Sequence, residues 1–252
     1  PEIVKLLEER AVEIGRQKGV DYVELRNQQI SQPSWPVKSS HATFVRTIAK
    51  DEAQLLLDIP KKQRAVVRKS LKNNLSTEIQ DDNRDFYRSY STSVRNLGTP
   101  VFSRKYFEIL KQEFGRDCEV VSIKQNGELQ CSLMTFYFRD QVLPYYGGGL
   151  AVSRQSKAMD FMYFDLMSRA ADMGYRVFDF GRSKIDSGPY HYKRHWGFEP
   201  EPLHYQYHLL SAASRPNLDA GNPKFQMISH AWRRLPLPVS QAIGPMVSKY
   251  LG

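Results

Sequence analysis

At 252 residues, with 41% apolar and 12% aromatic side chains, the chain suffices for one large or two small packed units and is too rich in core formers for extended disorder. Lys and Arg number 36 against 27 acids, and the net charge of +9 draws the protein toward something anionic: RNA, a nucleotide-linked substrate or an acidic membrane surface. Two cysteines, Cys118 and Cys131, argue against a disulfide scaffold and for a reducing cytoplasm, and no apolar run approaches the ~20 residues a membrane-spanning helix needs.

Residues 2–18 carry Ile3, Leu6, Leu7, Val12 and Ile14 at helical spacing between Pro1 and Gly19, which predicts an amphipathic helix packed by that face. Residues 21–26 alternate as a strand. A chain opening on a complete helix and strand reads as starting partway through a domain. Residues 27–40, with Pro33, Trp35 and Pro36, form a loop, residues 41–49 a strand, and Asp51 opens a helix that Pro60 interrupts. In the segment that follows, a helical step of about 100° gathers Lys61, Lys62, Arg64, Arg68, Lys69 and Lys72 on one arc, with Val66, Val67 and Leu71 opposite. Six cations without an acid indicate a face for nucleic acid or another anion; a merely solvated face is the plainer alternative.

Residues 75–80 read as a strand and 85–115 as mostly helix, broken at Gly98-Thr99-Pro100. Residues 118–124, 129–139 and 141–146 form an antiparallel meander, with Asn126-Gly127 a strong hairpin signal. A helix over 153–173 buries Met159, Met162, Tyr163, Leu166 and Ala170; a strand over 177–180 then runs parallel to the last meander strand. Residues 203–210 form a half-exposed strand, with His204, Gln206 and His208 on one face. Beyond Ser211 the chain becomes loop-rich, with Pro216, Pro223, Pro236, Pro238 and Pro245: a tail packed over the core, or one whose Trp232 and Arg233 lie on an acidic bilayer. The order predicts an α/β (α+β, mixed-sheet) fold with a cleft at the strand ends beside the helical crossover.

Two segments converge on that cleft: Pro144-Tyr145-Tyr146-Gly147-Gly148-Gly149, and Asp179-Phe180-Gly181-Arg182-Ser183-Lys184. Consecutive glycines let backbone N–H groups approach a ligand, or simply make a flexible turn. Arg182 and Lys184 can meet an anion. Asp179 either accepts a proton from an attacking amine or holds Arg182. The order and spacing of a phosphate loop are absent, as are the companion motifs of a kinase. His191 and His195, like His204 and His208, stand four apart, but no Glu occupies the zinc register, so no metal is expected. Cys131 lies in a buried strand, which disfavours a thiolate nucleophile.

Five stretches together resemble the FemAB family: Ile59 to Leu75, Leu97 to Phe107, Leu143-Pro-Tyr-Tyr-Gly-Gly-Gly149, Phe178-Asp-Phe-Gly-Arg-Ser183 and Tyr192-Lys-Arg-His-Trp-Gly-Phe-Glu-Pro200. The likeness is strongest to the branch associated with PEP-CTERM and exopolysaccharide systems. It implies tandem acetyltransferase-like (GNAT) domains, the first lacking its early strands: residues 1–74 with the basic connecting helix, residues 75–212 as the second domain, and 213–252 as the tail. The implied activity is transfer of an aminoacyl or acyl group from aminoacyl-tRNA, or less readily acyl-CoA, to a peptidoglycan-type or glycan acceptor, without metal or cofactor. Lys193 would stabilise anionic charge on donor or tetrahedral intermediate, with Arg182 assisting and Asp179 or His191 taking the proton. Residues Tyr145 to Gly149 would line the donor channel, and Lys184 and Trp196 would join the substrate site. The CoA-binding pattern of GNAT enzymes does not fit Gly147 to Arg154, which favours a tRNA-linked donor. The implied location is cytoplasmic, extending to the inner face of the membrane.

Overall fold

A computed structural model describes residues 2–214 and 223–249. The chain runs α1 (Glu2–Lys18), β1 (Tyr22–Asn27), β2 (Val37–Thr43), β3 (Val45–Thr47), α2 (Glu52–Asp58), α3 (Lys61–Ser70), β4 (Leu75–Ile79), α4 (Arg84–Leu97) and α5 (Arg104–Phe114). There follow β5 (Cys118–Gln125), β6 (Glu128–Phe138), β7 (Gln141–Gly149), the single turn α6 (Ser153–Ser156), α7 (Ala158–Asp172), β8 (Val177–Asp179), β9 (Ser183–Lys184), α8 (Gly188–His195), β10 (Glu201–Leu209), α9 (Pro223–Arg234) and α10 (Leu237–Ser248). Pro1 and Pro216 lie outside the described residues.

The fold is mixed α/β, as expected. Strands β3-β8-β7-β6-β5-β4 form one sheet, antiparallel except for the β7–β8 pair, and β1-β10-β2-β9 form a second, antiparallel sheet. The hairpin turn sits at Asn126-Gly127, both residues at positive φ, and β8 runs parallel to β7 after the α7 crossover. Sheet membership interleaves along the chain: β3 joins the six-stranded sheet, while β9 and β10 return to pair with β2 and β1.

Alternating side chains separate the two faces of the six-stranded sheet. Val121, Ile123, Leu133 and Val142 pack with Met162, Leu166 and Ala170 of α7. On the other face Val120 and Met134 pack with Phe86 of α4 and Phe107 of α5.

Four local expectations are corrected. α1 buries Val12 as expected but exposes Ile3, Leu6, Leu7 and Ile14 and turns Glu8 and Gly15 inward instead. Glu8 accepts hydrogen bonds from Ser31 Oγ and Gln32 Nε2, and Gly15 admits the side chain of Val23, so polar bonding and close approach set the docked face. The strand expected over residues 41–49 splits at fully buried Phe44, where the chain passes from one sheet to the other. β10 is not half exposed: Gln206 is fully buried, donating to Gln32 O and accepting from Ser31 N. The C-terminal prolines do not keep the chain in loops. Pro236 and Pro238 begin α10, where a missing N–H costs nothing, and α10 is tied to α4 by Gln241 Nε2 donating to Ser91 Oγ at 2.8 Å.

Candidate functional site

β7 and β8 are paired at Gln141↔Val177 and Val142↔Phe178, and β8 ends one residue later at Asp179. Asp179 Oδ1 accepts from Gly181 N at 2.7 Å, closing a tight turn in which Gly181 takes φ +68°, a conformation suited to glycine. Asp179 thus braces backbone, and among the described residues no ion pair joins it to Arg182.

The turn presents its carbonyls to Lys193. The Lys193 ammonium donates to Gly181 O at 2.9 Å and Arg182 O at 3.1 Å, and lies 5.3 Å from the Phe44 ring centroid and 5.8 Å from that of Phe180. Its helix, α8, starts at Ser187, whose Oγ accepts from Tyr190 N, with Pro189 in the first turn. Lys193 is the one buried residue of α8, 9% exposed. Burial pushes its pKa down to about 8, against the opposing pull of Asp179. Two of the three ammonium hydrogens are engaged by the turn.

The other expected site residues fall in different places. His191 is exposed beside Tyr190, roughly 200° around the helix from Lys193. Trp196 is fully buried among Tyr163, Phe180 and Tyr192, a core position rather than a ligand contact. Arg182 donates to Tyr205 OH, and Tyr205 stacks on His41 with centroids 5.3 Å apart. Lys184 lies opposite His41 in the β9–β2 register. Burial lowers the pKa of His41, reinforced by Arg182, Lys38, Lys184 and Arg26. These side chains, with Glu24 paired to Arg26 at 2.6 Å, make a mainly cationic cluster on the four-stranded sheet that sequence reasoning found only through Arg182 and Lys184.

The glycine run is a strand rather than a turn. Gly147, Gly148 and Gly149 pair with Leu133, Ser132 and Cys131. A Cβ on Gly148 would stand 2.6 Å from Tyr90 Cα and 2.8 Å from Ser89 O, and one on Gly149 would stand 2.6 Å from Ser153 Oγ. The glycines therefore let α4 and the chain at Ser153 press against β7. Just before them the register shifts: Tyr146 faces Met134 and Pro144 faces Thr135, leaving Tyr145 as the extra residue of a bulge. Both tyrosine rings consequently lie on the α4–α5 face, Tyr146 against Tyr90 and Phe107, Tyr145 against Phe136.

On α3 and the turn after it, Lys61, Arg64, Ala65, Arg68, Lys69 and Lys72 line a surface depression of about 600 Å³, with Lys62 exposed outside it. Arg64 is partly committed elsewhere, donating to Ile59 O at 3.0 Å and Leu57 O at 2.7 Å at the end of α2. Among the described residues no ion pair involves Lys61, Lys62, Arg68, Lys69 or Lys72. The inner side of α3 buries Gln63, whose Nε2 donates to Asp160 at 2.7 Å; Asp160 also accepts from Tyr192 OH at 3.0 Å. Burial raises the pKa of Asp160. One carboxylate thus links the basic helix to α8, next to Lys193. The sequence signal for it was a polar side chain on the buried side of α3.

Residues 61–194 match the family model described as an acetyltransferase (GNAT) domain, more than half of the chain. The chain belongs to this GNAT family. The matched segment runs from α3 to α8 and contains the braced turn and Lys193. Among solved structures the GNAT fold seen here is similar to FemX, with TM-score 0.64 and 14% identity over 90% of this chain and 79% of that one. It is also similar to the C-terminal domain of a candidate lysylphosphatidylglycerol synthetase from Agrobacterium fabrum, with TM-score 0.56 and 12% identity over 81% and 72% of the two chains. These likenesses show a common fold. No curated protein matches the sequence.

Proposed function

We propose that the chain is a FemAB-type acyl or aminoacyl transferase of the exopolysaccharide-associated kind, acting at the inner face of the cytoplasmic membrane on an amine or hydroxyl of a cell-envelope or exopolysaccharide precursor. The observation that carries this reading is the Lys193 ammonium, held by two carbonyls and two aromatic rings inside a GNAT domain. The acceptor attacks the carbonyl carbon of the donor ester, and the oxygen that gains negative charge meets the remaining N–H of Lys193. Collapse breaks the ester bond, and the acceptor's proton ends on the leaving hydroxyl. Asp179 keeps the turn in place; a role as base for it or for His191 is not required. The cationic face of α3 supports a donor carried on tRNA, whose phosphates would sit along Lys61, Lys62, Arg68, Lys69 and Lys72. Arg182 and Lys184, close to His41 on the four-stranded sheet, suit anionic charge on the donor. Among the described residues no helix is long and apolar enough to cross a membrane.

The α3 face also favours a second reading, a non-catalytic RNA-binding module, and turnover separates the two. Peptide and glycan acceptors incubated with charged tRNA, and separately with acyl-CoA, are expected to gain an aminoacyl mass with the tRNA donor when analysed by mass spectrometry. Steeply salt-dependent RNA binding with no product from either donor would replace the transferase by the binding module.

A further inference from the structure

The bulge in β7 begins a feature that the acyl-transfer chemistry does not use. Because Tyr145 and Tyr146 point to the same face, their rings, 4.8 Å apart, extend a surface series of aromatics in both directions. On one side Tyr146 meets Tyr106, which meets Phe102 at 4.8 Å. On the other, Tyr145 meets Phe136 at 5.9 Å, and Phe136 meets Phe114 at 4.9 Å. Tyr145 is 64% exposed and Phe114 50%. Tyr106 is exposed as well, and the half-buried rings of Tyr146, Phe102 and Phe136 connect the exposed ones to the core; exposed rings anchored in this way mark a contact surface.

We propose that this ladder is a stacking platform for the sugar rings of a neutral oligosaccharide, serving as the acceptor side of the reaction; its role as acceptor site rests on the transferase reading above. Charge selects the ligand. α3 offers cations with no acid among them, whereas α5 beside the ladder mixes signs: Arg104 pairs with Glu108 at 3.1 Å, Lys111 donates to Gln80 O and Asp81 O, and Lys105 and Glu113 are exposed. A polyphosphate gains little here, and an uncharged ligand loses nothing. A pyranose presents C–H bonds on its flat face and hydroxyls at its edge. The first suit the electron-rich face of an aromatic ring. The second can reach the Tyr106 and Tyr146 hydroxyls, which stand 3.1 Å apart at the surface. Tyr145 lies three positions beyond Val142, the last residue of β7 paired with β8, and the Lys193 turn follows β8, so the ladder and the turn both lie beyond the last pairing of these two strands.

The test is titration of the full chain with a β-1,4-linked N-acetylglucosamine tetramer, followed by NMR, for wild type and for Tyr145→Ala, Phe114→Ala and Lys69→Ala. The first two truncate exposed rings, and circular dichroism confirms that they fold. Wild type and Lys69→Ala should bind saturably with equal affinity that does not fall with salt, and each ring truncation should weaken binding by about tenfold. Absence of saturable binding, or unchanged binding by Tyr145→Ala, overturns the proposal. So does a single-stranded RNA octamer whose binding depends on Tyr145, which would assign the rings to nucleobases. Sugar binding at Tyr145 without transfer would leave the platform and remove the transferase; transfer without sugar binding there would do the reverse.

Discussion

An ammonium enclosed by Phe44, Phe180 and the carbonyls of Gly181 and Arg182 titrates in a range where ordinary lysines stay charged. Its pKa of about 8 when folded lies below the ordinary 10.5, so between those values the unfolded chain holds a proton that the folded chain lacks. Stability supplied by this group therefore rises with pH across that window. Denaturant unfolding should show wild type gaining on Lys193→Met by on the order of 3 kcal/mol between pH 8 and 10.5. A difference flat with pH would contradict the buried position. In the sequence, Lys193 stood out only through its neighbours in the motif; α8 also offered His191, Arg194 and His195, and nothing in eight mostly polar residues said which side would face inward. Asp160 and Gln63 stayed hidden for a similar reason. Each stands alone in its segment, and their bond connects residues 97 apart in the chain.

Elements with local punctuation were legible: Asp51 caps α2, Pro60 starts α3, Gly98 ends α4 at φ +80°, and Asn126-Gly127 turns the hairpin. Positions whose identity answers to a distant neighbour were not. Gly148 was read as a ligand-facing turn, and it is a strand residue that α4 touches through its backbone. Gly148→Ala should accordingly destabilise the fold by about 1–3 kcal/mol, seen as a lowered urea midpoint, whereas an unchanged midpoint would show that α4 can retreat. The docked face of α1 was misread on the same grounds, because apolar spacing alone could not reveal that Glu8 is claimed by the loop at Ser31 and Gln32.

At the scale of the whole molecule, the antiparallel meander and its parallel neighbour were foreseeable from order alone, and the second sheet was not. It is assembled from β10 inserting between β1 and β2 across most of the sequence, with β9, two residues long, added at the β2 edge. On the proposed reading, the six-stranded sheet divides the two substrates between its faces. The basic helix α3 packs with α7 on one, and the aromatic ladder rises with α4 and α5 on the other. Donor and acceptor would approach from opposite sides and meet where β7 and β8 part, with Lys193 at the turn that follows. Single-turnover transfer from charged tRNA, comparing wild type with Lys193→Ala of unchanged circular dichroism, tests this most directly. Loss of one oxyanion donor should slow the chemical step by about 10²- to 10³-fold with donor binding retained; transfer at the wild-type rate would contradict it.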